Sequence, residues 1–418
     1  MKVLVVGNGG REHALAWKLL QSSAIEQVYC LPGNGGTQLL PGCHNISLSV
    51  DDFAGIAQIG KEKAVDLVVV GPELPLAQGI ADYLQERGLT VFGPSQAGAQ
   101  IEASKTWAKD LMQEAGVPTA ASATFTDPES ATAYVKQQGA PIVVKADGLA
   151  AGKGVTVAMS LPEAQQAIEE LFGDGFAQIV IEDYLEGEEA SVLALTDGLA
   201  VRPLLPAQDH KRIGEGDTGE NTGGMGAYAP APLVTTALME HIEQEILQPI
   251  VKALRARNID YRGVLYAGLM IARGEPKVLE FNCRFGDPET QALLPLLKTP
   301  LEELMLACTE QRLAELPPIQ WREGTAVCVV AAASGYPRTY PKGMVISGID
   351  HAEQQGAVVF HAGTEQQQQL KTSGGRVLGV TAVGKDFAAA IATVYAAMEQ
   401  VQFEGIYYRR DIGHQPCP

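Results

Sequence analysis

The stretch PIVVKADGLAAGKGV, at residues 141–155, decides how the rest of the sequence is interpreted. Its apolar run ends in Lys145, which is typical of a buried strand that carries one cation to its end. A second cation, Lys153, follows between Gly152 and Gly154. Glycines let the backbone approach a ligand closely and point several N–H groups at it, as polyphosphate binding requires. The stretch therefore predicts a phosphate-binding loop; an ordinary hairpin with surface lysines is the alternative.

This loop does not have the P-loop pattern. That motif has four residues between its two glycines and a Ser or Thr after its lysine. Here three residues separate Gly148 from Gly152, and glycine follows Lys153. We therefore expect a different phosphate loop, in which residues 148–154 form a glycine flap between the two lysines.

Composition and charge restrict the function classes. A chain of 418 residues predicts about three domains of roughly 150 residues each. The net charge of −18 argues against a general nucleic-acid-binding protein, because such proteins present basic surfaces. No apolar run approaches the roughly 18 residues of a membrane span, and residues 1–7 lack a signal-peptide pattern. We expect a cytoplasmic protein with no nucleic-acid or membrane partner.

The six cysteines support the same location. They are scattered and show no C-x-x-C spacing. This distribution favours reduced thiols in the cytoplasm over disulfides or a zinc site.

Residues 1–100 alternate strand and helix patterns, which predicts a parallel sheet that binds ligands at the carboxyl ends of its strands. The first of these ends is GNGGREH, at residues 7–13. It is close to the dinucleotide-binding fingerprint, but Glu12 stands where the third glycine belongs. NAD binding is therefore not expected.

A single phosphate can still bind at such a glycine turn, because a helix begins there. Gly9, Gly10 and Arg11 are the candidates for that contact. The segment GPELPLAQG, at residues 71–79, brings the carboxylate of Glu73 to the same edge of the sheet. A plain proline-rich turn is the alternative interpretation of that segment.

Residues 97–114 predict one long amphipathic helix that carries Lys105, and residues 120–190 predict a compact α/β unit. The last strand of this unit, residues 178–182, leads into DYLEGEE at residues 183–189. Exposed backbone beside acidic side chains suits an adenosine, because the backbone can pair with adenine and a carboxylate can accept from the ribose hydroxyls. Acidic turns are common, so this signal alone is weak.

A polar segment, QDHKRIG at residues 208–214, carries Asp209 and Lys211 and is followed by NTGGMG at residues 221–226. A loop with three glycines in four positions is either mobile or wraps a ligand with its backbone. Because Met225 and several prolines lie close by, we prefer a ligand-binding loop to a disordered surface loop.

The segment KVLEFNCRFGDPETQ, at residues 277–291, predicts a strand with Glu280 and Asn282 on one face. These two oxygen donors suit Mg²⁺, which keeps several waters and binds substrate phosphates. Arg284 is predicted on the same face, where a planar cation can clamp a carboxylate or phosphate. Asp287 lies in the following turn. An edge strand with satisfied polar side chains is the alternative.

Taken together, these motifs resemble the ATP-grasp superfamily and, within it, the glycinamide ribonucleotide synthetase family. The resemblance runs nearly end to end. Its carriers are GNGGREHA at 7–14, GPELPLAQG at 71–79, KADGLAAGKGV at 145–155, QDHKRIGEGDTGENTGGMGAY at 208–228, LEFNCRFGDPETQ at 279–291 and YRRDIG at 408–413.

The resemblance implies a multidomain α/β and α+β protein with an ATP-grasp fold. It implies three domains: an N-terminal, Rossmann-like parallel-sheet domain at 1–104, an ATP-grasp domain at 105–325 with a lid at about 120–190, and a small mixed α/β domain at 326–418. The implied activity joins glycine to 5-phosphoribosylamine and splits ATP to ADP and phosphate through an acyl phosphate. The implied cofactors are ATP and Mg²⁺, with Mn²⁺ as an alternative, and a monomer is expected.

Site residues follow from the same resemblance. It places ATP on Lys105, Lys145, Gly148, Gly152, Lys153, Gly154, Glu182, Leu185 and Glu189. It places the metal on Glu280 and Asn282, and the catalytic role on Arg284, with Lys211 and Asp209 around glycine. It places 5-phosphoribosylamine on Gly9, Gly10, Arg11, Glu73 and Asp287.

Many ATP-grasp enzymes have a further acid on the preceding strand, and residues 264–270 have none, which puts a second metal ion in doubt.

Two alternatives to this function stay open at this point. A related ATP-grasp enzyme acting on bicarbonate or formate is one rival. A non-catalytic nucleotide sensor or dinucleotide-binding module is the other.

Overall fold

The computed structural model describes residues 1–149 and 154–415. Its N-terminal unit is a parallel sheet of five strands in the order β3-β2-β1-β4-β5, as the alternating pattern predicts. The strands are β1 (Lys2–Gly7), β2 (Gln27–Pro32), β3 (Cys43–Asn45), β4 (Leu67–Val70) and β5 (Val91–Phe92). The helices are α1 (Gly10–Leu19), α2 (Gly35–Leu39), α3 (Phe53–Glu62), α4 (Glu73–Ala77) and α5 (Ile80–Gln85).

The prediction of one helix over residues 97–114 is wrong, because the chain forms α6 (Gln96–Ala103) and α7 (Lys105–Ala115). Between them Ser104 has an extended backbone, and its hydroxyl accepts from the N–H of Trp107. The Asp147 carboxylate accepts from the N–H of Lys105 at 2.6 Å. These side chains satisfy the first N–H groups of α7, so a new helix can begin there.

The next unit is an antiparallel sheet of four strands in the order β6-β9-β7-β8, and two helices pack against it. Its elements are β6 (Ser122–Phe125), α8 (Pro128–Gln138), β7 (Ile142–Ala146), β8 (Val155–Ala158), α9 (Leu161–Gly173) and β9 (Ile179–Asp183). Strand β7 is buried throughout and ends next to Lys145, as the apolar run predicts.

The central segment contributes eight strands and several helices. The strands are β10 (Glu188–Thr196), β11 (Val201–Pro203), β12 (Gln208–Asp209), β13 (Arg212–Gly214), β14 (Thr218–Asn221), β15 (Gly226–Ala229), β16 (Gly263–Ala272) and β17 (Glu275–Asn282). The α-helices are α10 (Thr236–Ile242), α11 (Gln248–Ala256), α12 (Glu289–Leu293) and α13 (Leu301–Thr309), with a π-helical turn at Glu243–Leu247 and a 3₁₀ turn at Leu313–Glu315. Four strands form an antiparallel sheet in the order β11-β10-β16-β17, whereas β13 and β14 form a separate hairpin.

The C-terminal segment is a mixed α/β unit, but its sheet is not built from this segment alone. It contributes β18 (Thr325–Ala332), α14 (Ile349–Gln354), β19 (Ala357–His361), β20 (Thr364–Gln366), β21 (Leu370–Thr372), β22 (Arg376–Gly384) and α15 (Phe387–Met398). The sheet order is β12-β15-β18-β22-β19, so two strands of the central segment complete it. This pairing joins the segment at 208–229 directly to the C-terminal unit.

Apolar packing connects the units. One buried cluster joins Leu4 and Val68 of the N-terminal sheet to Val192 and Leu265 of the central sheet. Such shared cores hold the sheets at fixed positions around the site between them. None of the helices in the described ranges combines the length and the apolar character that crossing a membrane requires.

Candidate active site

A cleft of about 820 Å³ lies where the four units meet, and we call it the central cleft. Most of the side chains predicted for the site line it. These are Arg11, Glu73, Lys105, Lys145, Gly148, Gly154, Glu182, Leu185, Glu189, Asp209, Lys211, Glu280, Asn282, Arg284 and Asp287. Gly9 and Gly10 are not among the lining residues, and Gly152 and Lys153 lie outside the described residues.

The first group of charges centres on Glu182, whose carboxylate is buried between two lysines. Its oxygens lie 3.0 Å from Lys145 Nζ and 3.0 Å from Lys109 Nζ. Burial lowers the pKa of Lys109, although Glu182 opposes this shift. Lys145 also donates to the carbonyl of Leu279 on β17 at 3.2 Å. Glu182 therefore fixes Lys145 between the β6-β9-β7-β8 sheet and the central sheet, and its carboxylate already has two partners.

Replacing Glu182 by glutamine should lower the free energy of unfolding by about 3 kcal/mol, because two buried ammonium groups lose their counter-charge. Urea unfolding followed by circular dichroism measures this. The matched control is Glu114→Gln, which removes an exposed partner of Arg257 and should change stability little. Equal effects of the two variants would contradict the buried triad.

Lys105 stands at the start of α7, where the helix break places it in the central cleft. Its Nζ donates to the carbonyl of Gly148 at 3.1 Å. Burial lowers the pKa of Lys105, with Glu280 opposing and Lys145 adding to the shift. Two lysines and the first residue of the glycine flap therefore converge at one place, which suits a polyanion.

Lys211 faces these groups from the segment after β12. Its Nζ lies 3.1 Å from Glu189 Oε2 and 3.9 Å from Glu280 Oε1. Glu189 is the main cause that raises the pKa of Lys211, so the ammonium keeps its charge. Glu189, predicted for the ribose, is thus also the ion-pair partner of a residue predicted for glycine.

Arg284 is held by three side chains. Its Nε lies 3.2 Å from Glu73, and one terminal nitrogen lies 2.8 Å from Glu102 and 3.4 Å from the Asn282 amide oxygen. Burial opposes the charge of Arg284, but Glu102 and Glu73 outweigh it and raise the pKa of the guanidinium. Glu102 was not predicted, because nothing in its local sequence distinguishes it from other helical glutamates.

Glu280 and Asn282 lie on β17 and present two oxygen donors to the central cleft. Burial raises the pKa of Glu280, but Lys211, Lys145, Lys105 and Arg284 outweigh it, so the pKa is lowered and the carboxylate stays ionised. Such a donor set fits Mg²⁺, which takes one or two protein oxygens and completes its shell with water and phosphate. Within the described ranges, no group of three or more His, Cys, Asp or Glu side chains is arranged for metal binding.

Asp209 and Glu289 form a second acidic site nearby. Glu289 Oε1 accepts from the Tyr266 hydroxyl at 2.7 Å and from the Ser191 hydroxyl at 3.1 Å. Asp209 Oδ1 is buried without a hydrogen-bond partner. Burial, followed by the charge of Glu289, raises the pKa of Asp209. A buried acceptor with no partner in a ligand cleft suits a cationic group of a substrate.

Family models of phosphoribosylglycinamide synthetase match the chain in three parts: the N domain at residues 1–102, the ATP-grasp (A) domain at 103–290 and the C domain at 326–415. The chain belongs to the phosphoribosylglycinamide synthetase family. Its fold is therefore an ATP-grasp fold, as the sequence motifs predict, and the protein is an ATP-dependent ligase. ATP-grasp enzymes bind ATP together with divalent metal ions.

Individual relatives agree with this assignment. The chain is 65% identical to a phosphoribosylamine–glycine ligase from Nostoc sp. over 99% of both chains, and 61% identical to one from Synechocystis sp. over 99% of this chain and 100% of the relative. The crystal structure of phosphoribosylamine–glycine ligase from Thermotoga maritima has a TM-score of 0.82 and 34% identity, covering 98% of this chain and 100% of that chain. A biotin carboxylase from Campylobacter jejuni, with 16% identity and a TM-score of 0.75 over 99% of this chain and 94% of that chain, shares the fold alone.

In this synthetase-family chain, the glycine turn at the start of α1 holds a carboxylate of its own. Glu12 accepts from the N–H of Gly9 at 2.5 Å and from Arg11 Nε at 2.6 Å. A Cβ atom on Gly71 would overlap the same carboxylate. Glu12 thus takes the place at the helix start where a dinucleotide phosphate would bind, which explains why the fingerprint fails. The N–H of Gly9 is thus already bonded within the protein, and Gly9 and Gly10 as contacts of the 5-phosphoribosylamine phosphate stay a prediction.

Arg11 and Asp287 lie side by side at this edge of the central cleft. Arg11 is buried and donates from Nη1 to the carbonyl of Phe285 at 3.0 Å, in addition to its Nε contact with Glu12. Burial raises the pKa of Asp287, but Arg376 and Arg11 outweigh it and lower the pKa. Both residues have protein partners that any substrate would share.

The C-terminal unit contributes a cation that sequence reasoning missed, Arg376 on β22. Its Nη1 lies 3.4 Å from an Asp287 carboxylate oxygen and donates to the carbonyl of Asp287 at 2.8 Å. It also donates to the carbonyls of Gly223 and Gly224. Arg376 therefore joins the glycine loop at 221–226 to the turn after β17. Its local sequence indicates only a strand, so this role could not be read from the pattern.

Proposed function

We propose that this protein joins the carboxylate of glycine to the amine of 5-phosphoribosylamine and converts ATP to ADP and phosphate. The observation that supports this most directly is the common cleft in which Lys105 and Lys145 lie with Glu280, Asn282 and Arg284. Relatives at up to 65% identity over the whole chain carry the name phosphoribosylamine–glycine ligase. The two rivals are disfavoured, because matches to the family models at residues 1–290 and 326–415 do not suit a nucleotide sensor or a bicarbonate- or formate-using enzyme.

The chemistry needs two displacement steps. The carboxylate of glycine first attacks the γ-phosphorus of ATP and releases ADP, because a free carboxylate is a poor acyl donor. The amine of 5-phosphoribosylamine then attacks the carbonyl carbon of glycyl phosphate, loses a proton and expels phosphate. Positioning and charge neutralisation account for most of the rate in such reactions.

Each group of residues in the central cleft has one proposed role in this reaction. Lys105 and Lys145 neutralise the charge of the triphosphate. Gly148 and Gly154 of the glycine flap contact it. Gly152 and Lys153 belong to the same proposed flap. Glu182 positions Lys145, while Leu185 and the backbone of residues 182–185 frame the adenine, and Glu189 accepts from the ribose.

The metal site and the transferred group are adjacent in this proposal. Glu280 and Asn282 hold Mg²⁺, or Mn²⁺ in its place, and the ion when bound would neutralise phosphate oxygens. Arg284 faces the transferred phosphoryl group and is the proposed catalytic residue. Its fixed fork suits the planar array of oxygens that develops during transfer.

Glycine and 5-phosphoribosylamine bind in the same cleft. Lys211 attracts the carboxylate of glycine, and Asp209 accepts from its ammonium group. Arg11, Glu73 and Asp287 contact 5-phosphoribosylamine. We also propose the domain division 1–104, 105–325 and 326–418, a monomeric state and a cytoplasmic location.

The decisive experiment measures ADP release with ATP, Mg²⁺, glycine and freshly made 5-phosphoribosylamine, with each omitted in turn. We expect release only when both substrates are present. Bicarbonate and formate replace glycine in parallel reactions. ADP release with either of these acids but not with glycine would refute the proposal.

The pH dependence of kcat/KM for glycine should reveal the protonation of the Asp209 carboxylate. Because its pKa is raised, the carboxyl takes up a proton at a higher pH than an ordinary aspartate, and the neutral form attracts an ammonium group poorly. We expect kcat/KM for glycine to fall as the pH drops through this raised pKa. Asp209→Asn should lack this acid limb and should have a low kcat/KM throughout.

A pH profile measured from about pH 5 to pH 9 for glycine and for ATP tests this. The ATP profile serves as the control, because Asp209 is not proposed to contact ATP. The same acid limb in both profiles would remove Asp209 from the glycine site.

A further inference from the structure

The motif YRRDIG at 408–413 has no role in the proposed function so far. In the structure it belongs to a segment, residues 407–415, that runs along the outside of the β13–β14 hairpin, and we call it the C-terminal strap. The Tyr395 hydroxyl of α15 anchors the strap, because it donates to the carbonyl of Arg409 at 3.1 Å and accepts from the N–H of Ile412 at 2.9 Å. The strap is therefore fixed to the C-terminal unit on one side, and its other side contacts the hairpin.

Arg409 makes the main connection between the strap and the hairpin. Its side chain is fully buried, which is unusual for an arginine. It donates two hydrogen bonds to the carboxylate of Asp411, at 2.8 and 2.6 Å. Its remaining nitrogen donates to the Asp217 carboxylate at 2.8 Å and to the carbonyl of Arg212 at 3.0 Å. One guanidinium thus binds the first residue of β13 and the last residue of the β13–β14 turn.

Further contacts follow the same path along the hairpin. Four more hydrogen bonds cross between the two segments: Tyr407 hydroxyl to Ile213 carbonyl at 2.8 Å, Arg410 N–H to Glu215 at 3.0 Å, Gly216 N–H to Asp411 at 2.8 Å, and Gln415 amide to Asp217 at 3.0 Å. The hairpin has only two strands and belongs to no larger sheet of the described chain. An isolated two-stranded hairpin is marginally stable, so the strap supplies the support that a third strand would otherwise give.

The base of this hairpin holds Lys211. The N–H and the hydroxyl of Thr222 donate to the carbonyl of Lys211 at 2.7 and 2.9 Å. The ammonium group of Lys211 then reaches Glu189 and Glu280 in the central cleft. A shift of the hairpin would therefore move a cation that faces the reacting groups.

We infer that Arg409 is a positioning residue, which fixes the β13–β14 hairpin through Asp217 and thereby places Lys211 in the central cleft. The role of Lys211 toward glycine rests on the proposed function. The contacts of Arg409 do not depend on that function. A lysine at position 409 keeps the charge but cannot make the forked contacts to two carboxylates and a carbonyl.

The test compares Arg409→Lys with Arg410→Lys in the full chain. Arg410 is the neighbouring residue in the sequence, and its side chain is exposed, so the same substitution there serves as a matched control. We expect Arg409→Lys to raise KM for glycine and lower kcat, together by about 100-fold in kcat/KM, with KM for ATP nearly unchanged. Amide hydrogen exchange should become faster at residues 212–221 and stay unchanged in the N-terminal sheet. Arg410→Lys should match the unsubstituted protein in both measurements.

A second variant, Asp411→Asn, keeps the shape of the side chain and removes one of the two counter-charges of Arg409. Its effect on glycine use and on exchange at 212–221 should have the same direction and be smaller. Unsubstituted-like kinetics in Arg409→Lys, faster exchange spread over the whole chain, or failure of both variants to fold would overturn the inference. If the unsubstituted protein releases no ADP with glycine, the proposed function fails, but the exchange comparison still decides whether Arg409 holds the hairpin.

Discussion

Arg284→Ala is expected to lower kcat by about a thousandfold while leaving the affinity for ATP nearly unchanged. The guanidinium lies beside Asn282, a proposed metal donor, so in the proposed function it acts on the transferred group rather than on the nucleotide base. Glu73 and Glu102 hold it from the other side. Because these carboxylates fix its direction before substrate binds, the charge needs no reorganisation during the reaction.

Steady-state rates of ADP release and equilibrium binding of a non-hydrolysable ATP analogue measure the two quantities separately. Arg284→Lys keeps the positive charge and should recover only part of the rate, because it lacks the planar fork. Arg87→Ala removes an exposed arginine of the N-terminal unit. It serves as the control for the loss of an arginine outside the central cleft. If Arg284→Ala weakened ATP binding as much as it slowed turnover, the arginine would have been misplaced.

Glu280→Gln is expected to lower kcat about 100-fold and to raise the Mg²⁺ concentration needed for half-maximal activity. The substitution keeps the size of the side chain and removes the charge that the surrounding cations hold in its ionised form. Direct binding of Mn²⁺, followed by electron paramagnetic resonance in the presence of an ATP analogue, gives a readout that does not depend on turnover. We expect weaker Mn²⁺ binding in the variant.

Glu275→Gln is the matched control, because Glu275 begins the same strand and is exposed away from the central cleft. It should leave both metal binding and kcat unchanged. Normal Mn²⁺ binding by Glu280→Gln would show that the ion is held by other groups. The proposed pair of oxygen donors on β17 would then be wrong.

Much of the fold follows from local patterns. The apolar runs at residues 2–6 and 67–70 form buried strands of the parallel sheet, and Lys145 lies at the end of β7 as expected. Alternation along β17 also brings Glu280 and Asn282 into one cleft. The buried strands appear in the sequence as continuous apolar runs, and the pair on β17 appears as a two-residue alternation, so both can be read directly.

The remaining features depend on contacts between distant segments. Arg376, Glu102 and Lys109 lie on elements with ordinary patterns, and only the folded chain brings them to Asp287, Arg284 and Glu182. The break before α7 depends on Asp147, which is far along the chain from the N–H group that it caps. Hydrophobic periodicity carries no information about such partners.

Glu12 is an intermediate case. A glutamate three residues after a helix N-cap is a recognised capping pattern, and Gly9 and Glu12 have this spacing. This local pattern therefore indicates a carboxylate at the helix start, where the structure has that of Glu12.

The strand order β12-β15-β18-β22-β19 has a consequence for synthesis on the ribosome. Strands β12 and β15 leave the exit tunnel well before β18, which is the partner that β15 needs. N-terminal units fold first during translation, so Lys105 can be in place while Asp209 is still unanchored. A nascent chain that has not yet made β18 therefore lacks the sheet partner of β15, and the segment that carries Asp209 is not yet held in its final sheet.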